Sequence, residues 1–226
     1  MRGVALVAFG SFSVALLVLW MIFQHIPSWY RPLTPDREGV HRAQIDTATL
    51  ADWISEKMVG GEPFEIILHD RSVNEWLAAL PHILPDTRRS MPRGISKPVV
   101  RFDPDAILIA ARCSRGGWEV IASLTMEMRV LENGNLRLAL RKVYGGSLPV
   151  PGMVVEAMLK PLRELDDPVH TVEPLLDGLR SVESVDGLFE GVEIRNRFIW
   201  PNGRRVFRVD SITIVDGAVR LVVSPV

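Results

Sequence analysis

The sequence predicts an α+β protein: an N-terminal transmembrane helix, then a long, curved antiparallel sheet packed on amphipathic helices. Three observations carry that expectation. Val4 to Phe23, VALVAFGSFSVALLVLWMIF, runs without a charge, and about twenty residues at ~1.5 Å each match a hydrocarbon core of ~30 Å. Between Trp118 and Val130 apolar and polar side chains alternate with the period of two that marks a strand. Asn133-Gly134, Asn202-Gly203 and Asp216-Gly217 are dipeptides that tolerate the positive φ of tight hairpins, which makes the pairing antiparallel.

Composition narrows the function classes. Twenty-six basic residues against twenty-seven acidic leave a formal charge of -1, so there is no electrostatic footprint for a nucleic-acid backbone, and nucleic acid is excluded as a partner. Apolar residues at 47% are ample for a core. The lone Cys113 forms no internal disulfide and rules out zinc sites built on paired cysteines.

Residues 1–24 are read as the anchor. A cleaved signal peptide would have a shorter apolar region and a small-residue cleavage site; here QHIPSWYRP follows, with Trp29 and Tyr30 placed as an interfacial aromatic belt. Arg2 on one side against Arg31, Arg37 and Arg42 on the other favours, by a narrow count, a cytoplasmic C-terminal domain. Residues 25–45 carry Pro27, Pro32 and Pro35 without helical or strand period, and read as a linker lifting the domain off the bilayer. The soluble domain is 46–226. Its first helix is expected to be capped at Asp46 or Thr47, with Leu50, Trp53, Ile54 and Met58 on one face and Gly60-Gly61 ending it.

FEIILH, Phe64 to His69, is the first strand. Asp70 then caps a helix with Val73, Trp76, Leu77 and Leu80 on one face, stopped by Pro81 and Pro85. Residues 86–97, with Arg88, Arg89, Arg93 and Lys97, read as an exposed loop. Val99 to Phe102, a turn at Asp103-Pro104-Asp105 and Ala106 to Cys113 form a hairpin that turns again at Arg115-Gly116-Gly117. Trp118 to Val130 is the longest strand, returning through Leu136, Leu138 and Leu140, and its length implies a curved sheet. A helix from about Gly152 to Leu165, kinked at Pro161, and a short one around Val172 to Leu179 follow. The terminus is again β: Val192 to Trp200, Arg205 to Val215 and Ala218 to Val223.

Catalytic chemistry finds no footing in this pattern. His69-Asp70 lacks further ligands at metal spacing, with His25, His41, His82 and His170 scattered. Cys113 shares a strand face with Ile107, Ile109 and Ala111, which reads as a buried, inert thiol. Asp103 and Asp105 read as turn formers, and Asp166-Asp167 before Pro168 as a helix terminator. There is no G-x-S-x-G, P-loop or H-E-x-x-H. No cofactor and no enzymatic activity are expected. One feature remains. Trp118, Leu124, Met126 and Met128 on the long strand face Met153 and Met158 on the later helix, forming either an ordinary core or an apolar groove that accepts an acyl chain.

The order of short strand, helix with Asn74-Glu75-Trp76-Leu77, paired hairpins, a long strand through Asn133-Gly134-Asn135 and GGSLPVPG opening a helix resembles the YpmS-like membrane-anchored proteins and, more distantly, the tubular lipid-binding (TULIP, BPI-like) superfamily. The resemblance covers roughly residues 45–226. It implies a half-barrel sheet wrapped on a helix, in an extracytoplasmic domain at the cell membrane that takes a lipid or other apolar ligand between the two. It carries over no functional residue. The rival expectation is an envelope scaffold, or a protein-interaction module without a ligand cavity.

Overall fold

Asp36 starts the first long helix, α1 (Arg37–Gly60): its backbone is extended and its carboxylate accepts the Gly39 N–H at 2.7 Å, with Glu38 in the first turn where the helix dipole favours an acid. The proposed linker of residues 25–45 is thus corrected, since 37–45 is helical. These first two and a half turns have no apolar stripe for periodicity to find. Gly61, at φ +77°, terminates α1, and the Arg205 guanidinium donates to the Met58 carbonyl at 3.1 Å. These features belong to a computed structural model that describes residues 13–14, 17–83, 94–152, 155, 185–199 and 205–226.

Strand β1 (Phe64–His69) leads without a break into α2 (Asp70–Ile83). Asp70 is the first residue of the helix rather than its cap. Pro81 lies inside α2 instead of stopping it; in the last turn it forfeits one backbone hydrogen bond without ending the helix.

Among the described residues six strands make one sheet, here sheet B, and four the other, sheet A; the chain is an α+β fold dominated by antiparallel sheet. Sheet B is a meander of β2 (Ile95–Asp103), β3 (Ala106–Arg115), β4 (Trp118–Val130), β5 (Leu136–Gly145) and β6 (Leu148–Pro149), with β7 (Val192–Ile194) also paired to β5. Sheet A has the order β1, β10 (Ala218–Pro225), β9 (Val206–Val215), β8 (Phe198–Ile199). The single long sheet of the sequence expectation is therefore two sheets. Strand β4 has the expected span, and β-bulges at Thr125/Met126 in sheet B and Val222/Val223 in sheet A supply the bend that such long pairings require.

Two turns match their sequence signals. Arg115 pairs with Trp118 across Gly116-Gly117, and Val215 with Ala218 across Asp216-Gly217. The loop at Asn133-Gly134 is longer than the two-residue turn expected: the Leu131 and Asn135 backbones bond across it, and Asn133 turns its carbonyl oxygen onto the Asn135 N–H. Asn202-Gly203 lies outside the described residues. Strand β2 begins at Ile95, so the expected loop is strand from there on. Its residues 86–93 lie outside the described part.

The stretch Val192 to Trp200, expected as one strand, is split between sheets. Strand β7 joins sheet B, β8 joins sheet A, and Asn196 sits at the crossing. It is buried, its side-chain amide donating to the Val209 carbonyl (2.6 Å) and accepting the Val209 N–H (2.8 Å), as a neighbouring strand would. The core runs through this crossing: Leu136, Leu140, Val155, Leu188 on α3 (Val185–Glu190), Val192, Ile194, Phe198 and Val209 pack as one cluster. A second cluster, Phe102, Ile107, Ile214 and Val219, joins sheet B to sheet A.

The outer face of sheet B is covered by the N-terminal connection. Tyr30, 6% exposed, packs on Val99, Ala110 and Ile121 with Trp29 against the cluster, and its hydroxyl donates to the Lys97 carbonyl at 2.9 Å. Trp29 and Tyr30 are thus not the interfacial belt the sequence suggested. Burial pushes the Tyr30 phenol up from its ordinary value, against the opposing effect of nearby Arg112. Among the described residues no helix is long and apolar enough to cross a membrane; the run from Val4 falls partly outside them, at residues 4–12 and 15–16.

Candidate functional site

Helices α1 and α2 lean together over β1 and leave a groove of about 540 Å³, within the ~300–1,000 Å³ range of small-molecule sites. Ala43, Thr47 and Leu50 come from α1, Ile67 and Leu68 from β1, and Val73 and Trp76 from α2. The geometry follows from periodicity. On α1 Ile54 and Met58 turn fully into the core against Phe64 and Val223, and Leu50, one turn earlier, emerges partly exposed. On α2, Ala79 and Leu80 are buried while Trp76 stays partly open. Ile67 is 48% exposed, because alternation along β1 puts it on the outward face with Glu65 and His69, while Phe64, Ile66 and Leu68 turn inward.

Polar groups border this apolar floor: Asp46, His69, Ser72 and Glu75. Glu75 is held at 3.0 Å by Arg71 one turn back, an exposed pair worth a few tenths of a kcal/mol. The Thr47 hydroxyl is turned onto the Ala43 carbonyl at 2.6 Å, leaving its methyl for the groove. Among the described residues no hydrogen bond joins Ser72 to His69 or His69 to Asp46, so the three do not form a nucleophile-base relay. Nor could any group of three or more His, Cys, Asp or Glu among them hold a metal ion. What the arrangement can do is shield an apolar chain while polar side chains at the border meet a head group. A second hollow, about 320 Å³, lies on the other side of Ala43 and Glu75, between Leu33, Pro35 and α1.

The residues singled out in the sequence lie elsewhere. Leu124, Met126 and Met128 are half-buried on the inner face of sheet B, packed on the core that includes Leu136, Leu140 and Val155. Met153 and Met158 lie outside the described residues, as does the helix expected around 172–179. Trp118 does not share the setting of the other three. It is 60% exposed at the start of β4, edge-on to Trp20 with ring centroids 4.7 Å apart. Cys113 is half-buried and its thiol pushed up by burial, which disfavours the reactive thiolate. Asp103 is bound by Arg101 at 2.6 Å, and Asp105 takes the left-handed turn position at φ +61°. Of the groove residues, Leu50, Val73 and Trp76 stand on the apolar helix faces that the sequence marks, Ile67 and Leu68 on its first strand, and Ala43 within the expected linker; the one sign of a site was that two large side chains, Leu50 and Trp76, belong to stripes whose other members suffice for packing.

Compared with family models, curated proteins and solved structures, the chain matches none of them.

Proposed function

We propose that this chain is a single-pass membrane-anchored, non-catalytic domain that binds a lipid or another amphiphile in the groove between α1, α2 and β1. The observation that carries the reading is the 540 Å³ apolar groove with Leu50, Ile67 and Trp76 left open to solvent, because an unfilled apolar surface of this kind is costly unless something covers it. The anchor is supported by the uncharged run Val4 to Phe23. A ligand held between helix and sheet agrees with what the resemblance to the tubular lipid-binding superfamily implies, although it is placed on the first two helices rather than on the helix expected near 153–165, which lies almost wholly outside the described residues. An extracytoplasmic domain at the cell membrane goes with that resemblance.

The test is native mass spectrometry of the full chain released from nanodiscs, with cis-parinaric acid titration of the same sample. Wild type carries a co-purified lipid or binds the probe, and Leu50→Arg loses binding while melting within a few degrees of wild type. Wild type that binds neither, or Leu50→Arg that binds normally, refutes the groove as a lipid site. A second reading has one observation in its favour. Strand β1 is an open sheet edge beside an exposed Ile67, a place where an extended segment of a partner protein adds a strand.

A further inference from the structure

The apolar run does not end in a free tether. Its last helical residues, 17–23, are fastened to one end of sheet B. The Ser147 N–H donates to the Ile22 carbonyl at 3.0 Å, and the Ser147 hydroxyl meets His25 Nδ1 at 2.7 Å. Phe23 lies over the β5–β6 turn so closely that a Cβ at Gly146, φ +62°, would overlap the Phe23 carbonyl oxygen. Trp20 meets Trp118 edge-to-face across the β3–β4 end. Beyond this junction Tyr30 is buried on the sheet and Asp36 caps α1, so slack is taken up at several points between the apolar run and the domain.

We propose that the domain is clamped to the end of its own anchor, and that the β3–β4 end of sheet B lies in the interfacial layer of the lipid bilayer with Trp118 as its contact. The inference rests on the anchor reading given under Proposed function and adds an orientation to it. The occupant of this surface is a bilayer because the chain itself brings one there: Leu17, Val18, Leu19 and Met21 stand exposed around Trp20, at the end of the run Val4 to Phe23 that as a whole has the length and apolarity of a membrane span. An indole beside them prefers the headgroup layer, where its ring is in apolar surroundings and its N–H is wet. Trp118, the most exposed of the aromatic side chains named, thereby acquires a partner. The groove is set back from this surface. Asn74 of α2 is bound to Val100, opposite Ile109, about six residues along β3 from the turn, or ~20 Å at ~3.3 Å per residue. A ligand in the groove has therefore left the hydrocarbon.

The experiment uses the full chain in nanodiscs with Cys113→Ala as background. Trp20→Cys with Trp118→Cys should be joined by a short bis-methanethiosulfonate crosslinker that spans the gap left by the two indoles, and adding Gly146→Val should abolish the crosslink. A nitroxide at Glu119→Cys should be shielded from a water-soluble nickel chelate, while one at Asp216→Cys at the opposite end is fully accessible. A chain that stays in the nanodisc through carbonate washing but gives no crosslink, or equal accessibility at 119 and 216, overturns the clamp and leaves the anchor standing. A chain washed out by carbonate overturns both. Crosslinking that survives Gly146→Val also overturns the clamp, since the Phe23 contact would then not hold the helix end.

Discussion

Two asparagines perform for this fold what backbone usually performs. Asn74 on α2 presents its amide to Val100, accepting the N–H and donating to the carbonyl, both at 2.7 Å, and so satisfies part of the free edge of β2. Asn196 does the same for Val209 and also donates to the Gly134 carbonyl at 2.8 Å. Loss of such a side chain strands a buried donor and acceptor at once, each costing about 1–3 kcal/mol. Asn196→Ala should therefore lower the unfolding free energy by about 2–4 kcal/mol, read from the midpoint of urea denaturation; a loss below ~1 kcal/mol would mean water replaces the amide. A second residue-scale prediction concerns Glu193. Its carboxylate accepts from Asn135 at 2.6 Å and Asn133 at 2.7 Å, and these bonds, Asn135 first, hold it below the usual carboxylate range. A depressed acid contributes stability above its unfolded value near ~4.3 and loses it as pH falls through the folded value. Carboxyl NMR titration should place Glu193 below a free glutamate, and Asn135→Ala should move it back up.

At the scale of elements, α1 is the piece on which both groove and core depend. Its C-terminal half is anchored by Met58, 1% exposed between Ile54, Phe64 and Val223. Met58→Ala removes most of that side chain from a filled site and should cost about 2–5 kcal/mol, measured as a shift in thermal or urea midpoint without change in cofactor or salt. The same helix shows where sequence reading succeeds and where it stops. Strands β1, β4 and the β9–β10 hairpin were legible because period-two alternation and the residues of a two-residue turn are local properties. So was the second half of α1, through Leu50, Trp53, Ile54 and Met58. Its first nine residues were not, because Arg37, Glu38, His41 and Arg42 face water and no stripe repeats; the Asp36 cap after Pro35 was the one local signal. The split of β7 from β8 escaped for the opposite reason: the residues look like one strand, and only the three-dimensional position of Val209 makes Asn196 a crossing point. The groove was illegible as a site, since Ala43, Ile67 and Trp76 meet only after two helices and a strand have packed.

The whole molecule follows from how its N-terminal connection is used. Tyr30 closes the outer face of sheet B over Val99, Ala110 and Ile121, α1 closes one side of sheet A through Phe64 and Val223, and the sheets meet through Phe102, Ile107, Ile214 and Val219. A boundary at residue 45, natural if 25–45 were a free linker, would cut α1 nine residues after its start and remove Ala43 from the groove wall. Fragments starting at residues 25, 37 and 46 should accordingly form a series. The fragment from 25 keeps Tyr30 and should be the most stable. The one from 37 uncovers the face beneath Tyr30 and loses the Asp36 cap; an aromatic side chain in a core contributes about 3–5 kcal/mol, and at ~2–4 °C per kcal/mol for a domain of this size its midpoint should fall by about 6–20 °C. The one from 46 has in addition lost the first turns of α1, with the α1 side of the groove open, and should aggregate or melt lower still. Differential scanning calorimetry of the three decides it: equal midpoints for 25 and 46 would show that the connection is a tether and nothing more, whereas a stepwise decline makes residues 25–45 part of the domain they precede.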